Sequence, residues 1–468
     1  MIDNTTIAAI STAHGIGAIA VVRLSGDKAV DICDNVFLSP SGKKLVSQPA
    51  NTLHFGSLVD DGTVIDEVIV GLFKAPHSYT GEDLVEISCH GSLYIQQRIL
   101  ELLISKGARM AQPGEFTLRA FLNGKMDLSQ AEAVADLIAS KSKSFHKVAM
   151  NQMKGRFTEE IKNLRQRLLN FASLIELELD FSEEDVEFAD RTQFNNLVTE
   201  IEHLLRTLIS SFALGNAIKN GIPVAIVGKT NSGKSTLLNL LLKEDKAIVS
   251  EIEGTTRDFI EDIISIEGIH FRFIDTAGLR HTEDTVEKLG IERTYKKINQ
   301  ADIILMLVDP TKFDEDTIQS VKDIKKQLER TEKHLIIIIN KADLLQNEEI
   351  IKITKSLRPL VNEEENLIAM SAKNGDNLSI LEQTLIKLVH AEKIEKDDVI
   401  VTNVRHYEAL RLAHEAIVRV SEGLKNQIFG DLLAQDIREA LHYLGEITGE
   451  ITTDEILGNI FKNFCIGK

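Results

Sequence analysis

The sequence predicts a multidomain chain of mixed class: an N-terminal α+β domain, then a helical domain into which an α/β domain with a mostly parallel sheet is inserted. Three observations carry this expectation. Apolar runs of strand length alternate with Gly-bearing turns over residues 1 to about 120, and the apolar spacing then lengthens to a helical period. From Ile222 strand-like and helix-like stretches alternate, and after about residue 383 the helical period returns. A chain of 468 residues has room for about three domains at roughly 150 residues each.

In order along the chain, residues 16–24, 64–73 and 84–88 read as strands and 94–105 as a helix, which gives a domain over 1–120. Ser129 and Glu132 have capping-box spacing, and Ala131, Val134, Ala135 and Ile138 fall on one face of the helix that box would start. A second helix carries Ile161, Leu164, Leu168, Phe171 and Ile175 on one stripe, and helical character runs to about residue 212. Residues 121–214 therefore form the first part of the helical domain. Residues 215–382 hold the buried-strand runs 223–227, 303–308 and 335–339, separated by helical patterns, as a parallel sheet with crossover helices requires. Residues 383–468 return to the helical domain, with Thr452 and Glu455 spaced as a capping box ahead of Ile456, Leu457, Ile460 and Phe461. Insertion is tolerated because the termini of a compact domain usually lie close together.

Composition narrows the function classes. Apolar residues make up 43% and charged residues 26%, and only seven prolines occur, which argues against a disordered or Pro-rich architecture. A formal net charge of −18 argues against a wholesale nucleic-acid coat while leaving room for a local basic groove. The three cysteines, Cys33, Cys89 and Cys465, include no CxxC pair, so a reducing compartment is expected rather than a disulfide framework or zinc site. No apolar run approaches the ~18 residues of a membrane span. The start has no basic segment followed by an apolar one, so a soluble, cytoplasmic chain is expected. The ending Cys465-Ile466-Gly467-Lys468 does not fit a prenylation box, and Cys465 reads as a small apolar residue.

Residues 228–235 read Gly-Lys-Thr-Asn-Ser-Gly-Lys-Ser, the G-x-x-x-x-G-K-[ST] pattern, between the strand 223–227 and a helix over 236–242. The glycines let the backbone wrap so that several N–H groups face a phosphate at a helix N-terminus. Lys234 would reach the β- and γ-phosphates and the Ser235 hydroxyl would hold Mg²⁺. Four further motifs follow. Glu253-Gly254-Thr255-Thr256-Arg257-Asp258 offers the Thr256 hydroxyl as a second Mg²⁺ ligand. Asp275-Thr276-Ala277-Gly278 offers a carboxylate to the metal through water and the Gly278 N–H to the γ-phosphate. Asn340-Lys341-Ala342-Asp343 ends a strand, and Asp343 can accept both N–H donors on the ring edge of guanine, a pair adenine lacks. Ser371-Ala372-Lys373 suits a loop closing over the guanine carbonyl. These elements, in this order and on strand ends, resemble a translation-factor-related P-loop GTPase domain.

One position departs from the familiar pattern. Where Ras-like proteins place a water-orienting Gln directly after D-x-A-G, this chain has Leu279, and the adjacent Arg280 reads as a surface arginine. Asn231 offers another route: a neutral side-chain oxygen beside the phosphates can complete a monovalent-cation site, which would supply the electrostatics of an arginine finger. A loop-shaping hydrogen bond is an equally open role for Asn231.

The resemblance extends over the whole chain. The runs 17–26 (with Arg23), 78–86 (with Glu86), His90-Gly91, 113–125 (with Lys125), 127–133 and the ending Phe464-Cys465-Ile466-Gly467-Lys468 are similar to those of the MnmE/TrmE family of tRNA uridine-modifying GTPases. That resemblance implies an N-terminal tetrahydrofolate-binding and dimerisation domain, a homodimer, and a heterotetramer with the FAD-dependent partner MnmG (GidA). It implies addition of an aminomethyl or carboxymethylaminomethyl group to carbon 5 of the wobble uridine of certain tRNAs. The one-carbon unit would come from 5-formyl- or 5,10-methylene-tetrahydrofolate. It also implies potassium-activated hydrolysis in which two GTPase domains meet face to face.

By motif position, the GTP-binding set would be Asn231, Ser232, Gly233, Lys234, Ser235, Thr236, Ser250, Glu251, Ile252, Glu253, Gly254, Thr255, Thr256, Asp275, Thr276, Ala277, Gly278, Asn340, Lys341, Ala342, Asp343, Ser371, Ala372 and Lys373. Within it Asn231, Ser250, Ile252 and Thr255 would surround K⁺, and Ser235 and Thr256 would hold Mg²⁺. Glu287 matches the family glutamate that acts on the attacking water, with Asn231 as the second catalytic position. Arg23, Glu86, Lys125 and Lys468 would bind the folate. Two other classes compete: a ribosome-assembly switch resembling the Era or Der families, and a folate-dependent one-carbon enzyme with a regulatory GTPase domain.

Overall fold

A computed structural model describes residues 5–180, 191–244, 262–274, 298–328, 331, 333–361, 366–388, 399–426, 431–462 and 464–467. Two compact units divide the chain: residues 1–139, 149–202 and 409–468 make one, and residues 140–148 and 203–408 the other. Among the described residues no helix is long and apolar enough to cross a membrane.

The first unit opens with seven strands: β1 (Ile7–Ile10), β2 (Ile19–Ser25), β3 (Phe37–Leu38), β4 (Thr52–Asp60), β5 (Thr63–Phe73), β6 (Leu84–His90) and β7 (Arg109–Met110). They form one sheet in the order β3-β4-β5-β6-β2-β1-β7, antiparallel except for β1 with β7. Alternation decides its faces. Val22, Leu24, Val68, Val70, Leu72, Val85 and Ile87 are buried in a core that also takes Ile99, Leu102 and Leu103 of the helix Leu93–Ser105. The opposite face carries Arg23 directly across from Glu86 and, on neighbouring strands, the exposed Leu53, Phe55 and Ile69.

A buried charge network closes the end of this sheet. Arg119, on the helix Glu115–Leu122, is 2% exposed and donates to Glu82 at 3.0 Å, to Glu115 at 3.1 Å and to the Thr5 carbonyl at 2.8 Å. Arg109 adds a bidentate pair to Glu115 at 2.6 and 2.8 Å. Burial pushes the Glu115 carboxyl up, but the hydrogen bonds from Arg109, the Gln112 N–H and Arg119 outweigh it and hold it below the ordinary carboxylate range. The helices of this unit pack beside one another: Arg156–Asp180 lies on Asp431–Thr448, where Arg165 donates to the Leu441 carbonyl and pairs with Glu450.

The second unit holds β8 (Ile222–Gly228), β9 (Asp262–Ile266), β10 (Ile269–Phe273), β11 (Ile303–Val308), β12 (His334–Ile339) and β13 (Asn366–Ala369) in the order β13-β12-β11-β8-β10-β9. Only β9 runs antiparallel, so the mostly parallel sheet expected from sequence is present. The helices Lys234–Glu244 and Leu378–Leu388 cover one face, and Glu315–Leu328 and Asn347–Leu357 cover the other. This two-sided cover explains why the central strands are uninterrupted apolar runs. It also brings the C-terminal ends of β8, β11, β12 and β13 side by side, where open α/β sheets bind ligands.

Several local expectations are corrected. The capping box at Ser129 and Glu132 sits two residues earlier: Asp127 and Gln130 exchange reciprocal bonds at 2.9 and 3.0 Å, and the helix starts at Leu128. Its inward face is not Val134, Ala135 and Ile138; Ile138 is exposed, while Ser129, Glu132 and Asp136 are buried beside Ala131. Ser129 is held by the Gln152 amide, so a polar tertiary contact overrides the apolar stripe. Likewise Thr453, not Thr452, caps Asp454–Phe461 by accepting from the Ile456 N–H. Helix Arg191–Asn220 runs past residue 212, and Gly215 within it is a close-approach residue: a Cβ there would stand 2.0 Å from the Val401 carbonyl oxygen.

Removing Arg119 leaves the partly buried Glu82 without its cation and the buried Glu115 with Arg109 alone, so Arg119→Ala should lower the stability of the first unit by roughly 3 kcal/mol. Because the Glu115 carboxyl is depressed, its contribution is present at neutral pH and lost as pH falls through its folded-state value. Urea unfolding followed over an acid series should show that loss in the wild type and a flatter dependence in Arg119→Ala.

Candidate nucleotide-binding site

The loop after β8 connects directly to the helix Lys234–Glu244, as the phosphate-binding reading requires, although the helix begins at Lys234 instead of Thr236. Asn231 takes a left-handed backbone, φ 65°, and is exposed. Lys234 folds back over the loop, donating Nζ to the carbonyls of Gly228 at 2.8 Å and Lys229 at 2.9 Å. These bonds hold the ammonium over the concavity that a phosphate would fill.

Two residues at the end of β12 brace this loop from beneath. Asn340, 2% exposed, donates Nδ2 to the Ser232 carbonyl at 2.8 Å and accepts the Ala372 N–H on Oδ1 at 2.9 Å. One amide thus joins the phosphate loop to the Ser371-Ala372-Lys373 loop. Gly233 is required by this contact, since a Cβ there would lie 2.1 Å from Asn340 Nδ2. Lys341, also left-handed at φ 58°, donates Nζ to the Asn231 carbonyl at 2.8 Å and to Asp309 Oδ2 at 2.6 Å. Asp343 follows, exposed, in the single turn Ala342–Leu344, with the Ala342 N–H held by the Met370 carbonyl. Ser371 is buried and shapes its own loop by accepting the Gly375 N–H on its carbonyl at 2.9 Å, while Lys373 is exposed.

Sequence reasoning missed Asp309. It stands at the end of β11, and its only signal was an acidic residue directly after a six-residue apolar strand, before Pro310. Burial raises its carboxyl pKa, but hydrogen bonds from Lys341 and Thr311 outweigh this and hold it below the ordinary value.

In the first unit the structure brings Arg23 and Glu86 together as a cross-strand pair, with Arg23 Nη2 2.6 Å and Nε 3.0 Å from Glu86 Oε1. The guanidinium also lies over the rings of Tyr79 at 5.4 Å and Phe116 at 5.7 Å, two residues that sequence reasoning did not select. Lys125 is exposed and donates Nζ to the Pro76 carbonyl at 3.0 Å, on the segment that supplies Tyr79. Residues 464–467 lie against the end of β1: Ser11 Oγ donates to the Gly467 carbonyl at 3.1 Å, two residues beyond Ala9, which pairs with Arg23. Cys465 is exposed.

Of the other sequence-selected positions, Ser232 is buried, Gly233 and Ser235 are half-buried and Thr236 is exposed. Ser250, Glu251, Ile252, Glu253, Gly254, Thr255, Thr256, Asp275, Thr276, Ala277, Gly278, Glu287 and Lys468 lie outside the described residues.

A phosphate loop on β8, an Asn-Lys-x-Asp segment on β12 locked to it, and a serine-led loop after β13 define the P-loop GTPase class. Family models agree: "MnmE helical domain" matches residues 128–465 and "GTP-binding protein TrmE N-terminus" matches residues 6–125. The chain belongs to the MnmE family. Among its relatives, the proteins named tRNA modification GTPase MnmE from Flavobacterium johnsoniae and Bacteroides thetaiotaomicron are each 55% identical to it over 469 residues, covering 100% of both chains. One from Cytophaga hutchinsonii is 51% identical, covering 99% of this chain and 98% of its own. Among solved structures, a single-substitution variant of Aquifex aeolicus Era bound to GDP·AlF4⁻ is 29% identical over 42% of this chain and 66% of that one, with a TM-score of 0.28.

Asn340→Ala would strand the Ser232 carbonyl and the Ala372 N–H, so the second unit should lose roughly 2–4 kcal/mol. Urea unfolding together with a GDP titration should show lower stability and weaker nucleotide binding in the same variant.

Proposed function

We propose that this chain is a potassium-activated GTPase that, with an FAD-dependent MnmG (GidA) partner, adds an aminomethyl or carboxymethylaminomethyl group to carbon 5 of the wobble uridine of certain tRNAs. The observation that carries the GTPase half is the Asn340 bridge, which joins the phosphate loop to the loop that would close over guanine. The tRNA half is supported by full-length relatives that carry the name tRNA modification GTPase. That similarity spans the N-terminal and helical regions as well as the GTPase domain, which favours this reading over an Era- or Der-like switch. The layout proposed is 1–120, 121–214, 215–382 and 383–468, with the GTPase domain inserted in the helical one.

In this reading Asp343 selects guanine, Lys234 meets the β- and γ-phosphates, and Ser235 with Thr256 holds Mg²⁺. The half-buried Ser235 in the first turn of its helix is a hard oxygen donor of the type Mg²⁺ takes. Glu287 orients the attacking water. Asn231, with Ser250, Ile252 and Thr255, takes K⁺; the donor set is all neutral oxygen. A bound K⁺ would neutralise charge developing on the phosphates, the service an arginine finger supplies elsewhere.

For the folate, the residues present fit the group. Arg23 and Glu86 place a cation and a carboxylate side by side, the guanidinium over two aromatic rings, a surface suited to a flat heterocycle with ring donors and a carboxylate tail. Lys125 and Lys468 would add cations for the glutamyl carboxylates. Homodimerisation is supported by the same sheet face, where Leu53, Phe55 and Ile69 are exposed close to that pair.

The test is GTP turnover by the full chain in potassium against sodium. Turnover should rise by orders of magnitude in potassium, on the scale of an arginine finger at roughly 10³–10⁵ at the most. Asn231→Ala should lose the preference, and Glu287→Ala should lose hydrolysis while keeping GTP affinity. Equal rates in the two salts would overturn the cation role.

A further inference from the structure

The buried carboxylate at the end of β11 is tied closely to the residues that brace the phosphate loop. The Asp309 side chain is 7% exposed. Its Oδ1 accepts from the Thr311 N–H at 3.0 Å and the Thr311 hydroxyl at 2.7 Å, and its Oδ2 accepts from Lys341 Nζ at 2.6 Å. The same ammonium donates to the Asn231 carbonyl at 2.8 Å. The chain of contacts Thr311–Asp309–Lys341–Asn231 therefore runs from a strand end to the residue in the loop that would meet the monovalent cation.

We propose that Asp309 is a positioning residue for the monovalent-cation site, acting on Asn231 through Lys341. The inference rests on the reading of Asn231 as a K⁺ ligand and adds what sets that ligand in place. Two physical effects act in the same direction. The first is geometric. Asn231 holds a left-handed backbone, which asparagine adopts more readily than most residues with a Cβ, and the Lys341 bond to its carbonyl braces the loop there. Bracing that backbone limits the directions the Asn231 side chain can take. Lys341 is itself left-handed, so it needs an anchor, and the Thr311-braced carboxylate supplies one. The second effect is electrostatic. An ammonium bonded to the Asn231 carbonyl would repel a second cation at the same residue. The Asp309 carboxylate, held ionised by its partners, cancels that charge, so the neighbourhood stays open to K⁺. Lys341 can then brace the loop without closing the site to a monovalent ion.

Replacing the carboxylate by its neutral isostere removes both effects while keeping the shape. In the full-length protein, GTP turnover at saturating GTP would be titrated with K⁺ for wild type, Asp309→Asn and Thr311→Val, with GDP affinity measured beside it. Asp309→Asn should raise the half-activating K⁺ concentration roughly tenfold, the size of losing one hydrogen bond to a charged group. Thr311→Val keeps the charge and loosens only the anchor, so its midpoint should rise about two- to threefold. An unchanged midpoint in both variants, with or without weaker GDP binding, would reduce Asp309 to a structural residue and overturn the inference. Should Asp309→Asn fail to fold, the Thr311→Val midpoint decides alone, on the same terms. A wild type indifferent to K⁺ would instead sink the cation reading of Asn231 and this inference with it, a result distinguishable from the first because it appears before any substitution.

Discussion

The second unit depends on a side-chain amide that a nucleotide need not touch. Asn340 is buried between the phosphate loop and the loop after β13, and both of its polar atoms are spent on backbone groups. Glycine-rich loops are entropically costly to hold in one shape, and a phosphate cradle works only if its N–H groups already point inward. Here the shape is enforced from below. Asn340 takes the Ser232 carbonyl, Lys341 takes the Asn231 carbonyl, and each rides on the end of a strand fixed by two-sided burial. The rigidity of the sheet is thereby lent to the loop, and the guanine-reading segment is tied to the phosphate-reading segment.

The first unit solves a comparable problem with a sheet face. Arg23 and Glu86 are opposite one another on adjacent strands, so their pairing follows from register alone. The rings of Tyr79 and Phe116 limit where the guanidinium can go, and the buried Arg109–Glu115–Arg119–Glu82 network fixes the helix that carries Phe116. The run 113–125 thus reads physically as scaffold for one ion pair and its aromatic floor. Residues 464–467, at the far end of the chain, lie on the strand next to that pair, so segments separated by more than 400 residues in sequence serve one surface.

How much of this was legible in the sequence follows from which interactions are local. The phosphate loop, the runs 303–308 and 335–339 and the segment Asn340–Asp343 declare themselves because strand, turn and helix chemistry are written in consecutive residues. The capping box expected at Ser129 slipped by two places because Ser-x-x-Glu and Asp-x-x-Gln fit the same stretch, and the tertiary partner of Ser129, Gln152, decides between them. The helix expected to stop near residue 212 continues to Asn220, and Gly215 within it is a point where another segment comes close. β1 and β4 went unread: one is only four residues long, and the other alternates with its outward side apolar, which blurs the pattern. Asp309 could not be ranked above other acidic residues because its importance lies wholly in what the fold places beside it, Lys341 and Thr311.

The central claim is that nucleotide hydrolysis in this chain serves modification of tRNA. Nucleoside analysis of tRNA from cells that lack the chain tests it most directly. The account predicts that uridines substituted at carbon 5 in the wobble position disappear, and return with the wild-type gene but not with Lys234→Ala. Wobble uridines left unchanged by the deletion would contradict it.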